Sequence, residues 1–328
     1  MSYLKNKSVL VTGGTGSFGK SFVSRLLRDD EVSKVIVFSR DELKQFEMQE
    51  KLSSSKLRYF LGDVRDYQRL IRATDGVDVV IHAAAMKQIP AAEYNPMEAI
   101  KTNVLGAENI INAAIDNQVH RVIALSTDKA ANPANLYGAT KLCSDKLMVA
   151  GNTLAGLQDT KFSVVRYGNV LGSRGSVIPF FREKSKEGMI PITDERMTRF
   201  WLTIENGVQF VLDSLERMYG GEIFVPKIPS FKITDVARIV SPGIPTKVIG
   251  IRAGEKLHEV MITEDDSHTT LEFDDHYAIL SPSLLQNGTY QGRGEKVPEG
   301  FRFSSETNPL WYTDESFLRV LKENGLLA

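Results

Sequence analysis

The chain has 328 residues, 42% of them hydrophobic and 25% charged, with 40 Lys and Arg set against 41 Asp and Glu for a formal net charge of −1. That length suits one large α/β domain with a smaller lobe, or two domains, and the balanced charge gives no support for binding nucleic acid or an anionic membrane. The single Cys143 excludes an intrachain disulfide framework, no apolar run approaches the roughly 20 residues of a membrane span, and the first residues run straight into a strand pattern with no room for a signal peptide, so a cytoplasmic protein is expected.

Ser8 to Thr12 (Ser-Val-Leu-Val-Thr) reads as a buried strand, and Gly13, Gly16 and Gly19 then turn into a helix expected over residues 20–28. In this G-x-x-G-x-x-G loop the first two glycines let the backbone turn tightly and approach a pyrophosphate, which a helix N-terminus attracts. The third allows close helix–strand packing. A second strand, Lys34 to Phe38, leads into Ser39-Arg40-Asp41-Glu42-Leu43-Lys44. Ser39, Arg40 and Lys44 suit a ribose 2′-phosphate and favour NADP over NAD, which usually meets an acidic residue here. The other reading makes Arg40 and Lys44 solvated caps of the next helix.

Leu57 to Leu61 is the third strand, and Asp63 and Val64 after Gly62 are placed to meet an adenine edge. Val77 to Ile81 is the fourth. The small Ala83, Ala84 and Ala85 beyond it would let the backbone pass close to a cofactor, His82 reads as a packed histidine, and Lys87 either reaches a substrate or solvates its loop. A long helix is expected over residues 96–117, containing Thr102 and Asn103.

The stretch from Ser126 to Lys141 concentrates proton chemistry. It follows a short buried strand, Arg121 to Leu125, and enters a helix expected over residues 137–150. Tyr137 and Lys141 are four apart and share a helix face. A neighbouring ammonium favours phenolate, so the pair can serve as a general base near neutral pH. Thr127 could hydrogen-bond the same substrate hydroxyl, and Asp128 with Lys129 forms a second acid/base pair. Phe162 to Arg166 is a sixth strand. Six strands alternating with helices predict a Rossmann-like doubly wound parallel sheet over residues 1–172, with ligands at the carboxyl ends of the strands. Residues 173–328 are expected to form a smaller helix-rich lobe that binds substrate, with some C-terminal segments returning to the first domain. Helices are expected over 177–188 and 205–219, and Arg199 and Arg252 could grip a diphosphate bidentately.

The glycine loop, Thr127, Tyr137 and Lys141 resemble the extended short-chain dehydrogenase/reductase superfamily. More closely, Ser39-Arg-Asp-Glu-Leu-Lys44, Ser126-Thr-Asp-Lys-Ala130, Tyr137-Gly-Ala-Thr-Lys141, Arg166-Tyr-Gly-Asn-Val170 and Arg196-Met-Thr-Arg-Phe200 look like the inverting UDP-N-acetylglucosamine 4,6-dehydratases of pseudaminic acid biosynthesis and flagellin glycosylation. The resemblance implies an NADP-dependent hydro-lyase, with Tyr137, Lys141 and Thr127 acting at the sugar's 4-hydroxyl, Lys129 as base at C5, and Asp128 as acid on the departing 6-hydroxyl. It implies cofactor contacts at Gly13, Thr15, Gly16, Ser17, Phe18, Gly19, Ser39, Arg40, Lys44, Asp63, Val64, Ala83, Ala84, Ala85, Tyr137, Lys141 and Val170. Lys87, Asn169, Arg182, Thr193, Met197, Arg199, Arg252 and Glu255 would contact UDP-N-acetylglucosamine. No metal is implied, and a homo-oligomer is, a hexamer among the options. A C4 epimerase of nucleotide sugars would share the fold and Tyr137/Lys141 but has no need of Asp128 and Lys129. A non-catalytic NADP-sensing module would need only the glycine loop and the phosphate site.

Overall fold

Short β-branched runs that alternate with amphipathic helices can bury both faces only by stacking in parallel between two helical layers. In the computed structural model, which describes residues 3–29, 32–173 and 176–327, they do so. Arg174 and Gly175 of the loop after residue 167 lie outside the described residues. Strands β1 (Ser8–Thr12), β2 (Lys34–Ser39), β3 (Leu57–Leu61), β4 (Val79–His82), β5 (Arg121–Thr127) and β6 (Lys161–Tyr167) pair in parallel in the order β3-β2-β1-β4-β5-β6. This is the doubly wound order, and its direction reverses between β1 and β4, where ligands bind. The register aligns Thr12 with His82 and Thr127 with Tyr167, so the glycine loop and the catalytic stretch leave the same edge of the sheet.

Beyond β6 the sheet continues with Glu222–Pro226, parallel to β6, and then with His276–Leu280, Thr270–Glu272 and Glu295–Lys296 in antiparallel pairing, ten strands in all among the described residues. The lobe carries strands as well as the expected helices. Asn169–Val170, Thr198–Leu202 and Ser230–Lys232 form one small sheet, and Ile190–Ile192 pairs with Thr246–Val248. With the helices Val177–Ser185, Ile233–Val240 and Asp314–Glu323 they enclose a second apolar core around Phe181, Trp201, Phe231 and Phe317, separate from the core that lines the large sheet.

The long helix expected over residues 96–117 is interrupted. Pro96–Ile100 runs into a π-helical turn, Lys101–Leu105, before Gly106–Asp116 resumes the α-helix. The turn swings Thr102 and Asn103 inward, where both are buried. Asn103 then accepts from the Met86 N–H (2.8 Å) and donates to the Met86 carbonyl (2.9 Å) and the Thr140 hydroxyl (3.0 Å). Such single π turns cluster at functional sites because the extra residue re-aims side chains. Here it ties the loop after β4 to the helix Leu136–Leu154.

Candidate active site

Gly13 adopts φ +63°, and a Cβ there would lie 2.9 Å from the carbonyl of Ala83 and the amide of Ala84. The loop therefore packs backbone to backbone against Ala83 and Ala84. At Gly19 a Cβ would meet Gly14 Cα at 2.5 Å, so the helix Ser17–Asp29 starts directly on the loop and aims its N-terminus into the cleft. Thr12 pins the two strand ends together: its hydroxyl accepts from the Ala83 and Ala84 amides at 3.2 Å each and shares a 2.8 Å bond with His82 Nδ1. His82 is fully buried; burial, then the nearby Lys141, pulls its pKa down to about 3, so it is a neutral structural histidine.

One continuous cleft of about 880 Å³ runs along this edge. It is lined by all the residues expected at the cofactor, by Thr127, Asp128, Lys129, Tyr137 and Lys141, and by Lys87, Asn169, Arg252 and Glu255. The glycine cradle and the free helix N-terminus fit a dinucleotide pyrophosphate. At the ribose end Ser39 is held by Gln45 Nε2 (3.1 Å). Arg40 Nη1 lies 3.4 Å from Asp63, whose carboxylate also receives Arg65 at 2.7 and 2.9 Å. Burial works to raise the Asp63 pKa, but the Arg65 hydrogen bonds and the Arg40 charge hold it below the usual carboxylate range. Lys44 is ion-paired with Asp41, the cap of its helix.

At the other end of the cleft β5 ends on Thr127, and Asn135 caps the helix Leu136–Leu154 by accepting from the Gly138 amide (2.8 Å). Gly138 is obligatory in this packing, since a Cβ would lie 2.2 Å from the Lys129 carbonyl. This approach sets Tyr137 beside the catalytic loop. Burial pushes the Tyr137 phenol up to about 12, opposed by the charge of Lys129 and a hydrogen bond with Thr127. The sequence reading looks to Lys141 for that opposing charge, and in the folded site the charge of Lys129 also acts to lower the phenol. Lys141 is itself buried; desolvation lowers its pKa against the attraction of Asp145, whose carboxylate accepts from Ser126 (2.7 Å) and Arg166 (3.2 Å).

Lys129 sits between two buried carboxylates. Its Nζ is 2.9 Å from Asp128 Oδ1 and 3.2 Å from Glu259 Oε1, and Thr127 also donates to Asp128 Oδ1 at 2.9 Å. Burial favours the neutral amine, yet the two carboxylates outweigh it and hold the Lys129 pKa above its ordinary value. Asp128 moves the other way from an ordinary carboxyl: burial, followed by repulsion from Glu259, raises it against the pull of Lys129. In the resting site the two carboxylates therefore favour Lys129 as an ammonium.

Glu259 did not stand out in the sequence. It lies in Gly254-Glu-Lys-Leu-His-Glu259, where nothing local separates it from Glu255. This segment clasps the catalytic loop: Asn135 Nδ2 donates to the Gly254 carbonyl and Lys256 Nζ to the Ala131 carbonyl, at 2.8 and 2.7 Å. Four expected substrate contacts do not line the cleft. Arg199 donates to the carbonyls of Thr198, Lys256 and Leu257 at 2.7 to 3.0 Å and lies 3.7 Å from Glu259, so its guanidinium is engaged within the protein. Arg182 donates to the Leu326 carbonyl (2.9 Å), and Thr193 to Met197 Sδ (2.8 Å), with Met197 buried in the lobe's core. Arg252 reaches the cleft paired with Glu255.

The strand order, the glycine loop on β1 and a Tyr–Lys pair one helical turn apart define an extended short-chain dehydrogenase/reductase. Within that class the chain belongs to the family described as polysaccharide biosynthesis protein, whose model matches residues 9–281. It is 57% identical to a Campylobacter jejuni protein named UDP-N-acetylglucosamine 4,6-dehydratase (inverting), over 96% of this chain and 97% of that one. It is 43% identical to a Rickettsia akari protein named UDP-glucose 4-epimerase, over 89% and 88%. The crystal structure of Pen from Bacillus thuringiensis superposes with a TM-score of 0.91 at 35% identity, covering 99% of this chain and 100% of that one.

Proposed function

We propose that the protein is a UDP-N-acetylglucosamine 4,6-dehydratase that inverts C5, forming UDP-2-acetamido-2,6-dideoxy-β-L-arabino-hexos-4-ulose, the first step of pseudaminic acid biosynthesis. The observation that carries this reading is the Asp128–Lys129 pair, 2.9 Å apart in the same cleft as Tyr137 and Lys141. A dehydration needs a base for C5 and an acid for the 6-hydroxyl, in addition to the group that works on the 4-hydroxyl. A bound dinucleotide supplies the reversible oxidation of the sugar. Tyr137, in the phenolate form that the Lys129 charge and the Thr127 hydrogen bond favour, takes the proton of the 4-hydroxyl. The new ketone acidifies the C5 proton.

Lys129 and Asp128 then act as one coupled pair. In the resting site the proton sits on Lys129. Transfer of that proton to Asp128 Oδ1 leaves a neutral amine to take the C5 proton and a carboxylic acid to protonate the departing 6-hydroxyl. A substrate that excludes water favours this neutral form, because an ion pair loses more solvation than a neutral pair does. The C4 epimerase reading, which the Rickettsia relatives raise, leaves this pair without a task. Incubation of the protein with UDP-N-acetylglucosamine in D₂O, followed by proton NMR, decides between them. A 6-deoxy-4-keto sugar with deuterium at C5 and an inverted coupling pattern is expected, whereas UDP-N-acetylgalactosamine alone would establish the epimerase.

We assign the cofactor as NADP, bound through Ser39, Arg40 and Lys44, with the 2′-phosphate drawing Arg40 from Asp63. A charged hydrogen bond contributes about 1.5–3 kcal/mol, so Arg40→Ala should weaken NADP⁺ binding about tenfold or more in calorimetry and leave NAD⁺ binding unchanged. Equal losses for both would reject the assignment. We also assign a cytoplasmic homo-oligomer. In support, among the described residues no helix is long and apolar enough to cross a membrane, and Tyr94, Met97 and Leu105 are exposed on neighbouring turns.

A further inference from the structure

Glu259 is held more firmly than a surface carboxylate would need. Its amide donates to Ser305 Oγ (2.9 Å), the Ser305 amide donates back to its carbonyl (2.8 Å), and Ser305 Oγ shares a 2.7 Å bond with Thr198 Oγ1. The residue is 2% exposed. Lobe cations lie on two sides, with Arg199 Nε 3.7 Å from Oε1 and Lys256 Nζ 3.9 Å from Oε2. Yet the closest cation is Lys129 of the other domain, 3.2 Å from Oε1, while Oε2 has no hydrogen-bond partner among the described residues. A buried carboxylate is costly unless it is paired. This one is mounted so that its charge crosses the domain boundary to the catalytic lysine.

We propose that Glu259 is a positioning residue of the reaction, a carboxylate delivered by the lobe that holds Lys129 Nζ against Asp128 and keeps the proton on the lysine in the free enzyme. The inference rests on the dehydratase reading, in which Lys129 must release that proton to work. The charged and titratable groups facing Lys129 are Asp128 and Glu259, which favour the ammonium, and Arg199, Lys87 and Lys256, which oppose it; the Tyr137 phenol is neutral. Neutralising Glu259 leaves Asp128 as the single anion among them, and the lysine then loses its proton at lower pH. A carboxylate that only braced the lobe would, when altered, reduce stability or turnover at every pH and leave that titration in place.

The test is competitive labelling of Lys129 with acetic anhydride across a pH series, read by peptide mass spectrometry on the full-length protein, which needs no turnover. For Glu259→Gln the labelling midpoint of Lys129 should fall by about one pH unit or more, a tenfold change in proton affinity. Glu259→Asp, which retracts the charge by one methylene, should give a smaller fall in the same direction and serves as the test should the amide variant not fold. A folded variant with the wild-type midpoint, or a higher one, overturns the proposal. Whether the wild-type protein dehydrates UDP-N-acetylglucosamine is read separately by NMR, so a shifted midpoint in a protein that makes no 6-deoxy sugar would fault the functional reading and leave the role of Glu259 in holding the lysine intact.

Discussion

Tyr137 shows how burial and charge divide the work at a single residue. Its phenol titrates far above neutral pH in the free site, raised to about 12 by desolvation. Its usefulness as a base therefore depends on groups that favour the phenolate, Lys129 and the Thr127 hydroxyl. Positioned acid–base groups contribute roughly 10²–10⁴ in rate. Tyr137→Phe should accordingly lower kcat by about that factor with KM little changed, and a loss confined to KM would move Tyr137 from chemistry to binding. Because the pKa is raised in the free site, only the minor phenolate fraction is competent as the base at neutral pH. Lys129→Ala should abolish deuterium exchange at C5, since its amine is the group proposed to take the C5 proton; exchange at the wild-type rate would remove Lys129 from that step.

At the scale of elements, the site depends on close backbone approach more than on the identity of any strand. The helix Leu136–Leu154 begins where Gly138 rests on the Lys129 carbonyl, and a methyl group 2.2 Å from that oxygen requires the loop or the helix to move. Misplacement on the order of an ångström can cost about a hundredfold in rate. Gly138→Ala should therefore depress kcat by about that factor while dinucleotide affinity, measured by calorimetry, stays near wild type. An unchanged kcat would show that the loop yields without consequence. The π turn Lys101–Leu105 is a second such device, with Asn103 satisfying both backbone groups of Met86 beneath the cleft.

Over the whole molecule, two separate apolar cores carry the two sides of the ion pair between Lys129 and Glu259. The larger lines the sheet and anchors Asp128, Lys129, Tyr137 and Lys141; the lobe's own core, with Trp201, Phe231 and Phe317, carries the segment that brings Glu259. Truncating a buried aromatic costs about 3–5 kcal/mol. Phe317→Ala should thus destabilise the lobe by that amount in thermal unfolding and remove dehydratase activity, while the dinucleotide still binds with near wild-type affinity. Parallel loss of cofactor binding would mean that the two cores unfold as one.

Much of this arrangement is local and periodic, and so legible in the chain itself. Hydrophobic runs of strand length, the glycines at 13, 16 and 19, and the four-residue spacing of Tyr137 and Lys141 depend only on backbone geometry, and they determined the sheet, the glycine loop and the shared helix turn of Tyr137 and Lys141. Contacts between distant segments were decided by tertiary packing alone. Arg199 resembles a free phosphate-binding cation in the sequence, but the carbonyls of residues 198, 256 and 257 converge on it only after the lobe folds. The π turn breaks a helix whose periodicity was unremarkable, because Asn103 finds partners at Met86 and Thr140. Glu259 becomes part of the site because the lobe carries it to within 3.2 Å of a lysine 130 positions earlier in the chain. The proton affinity of a buried group is set by its neighbours in space, and no pattern along the chain records them.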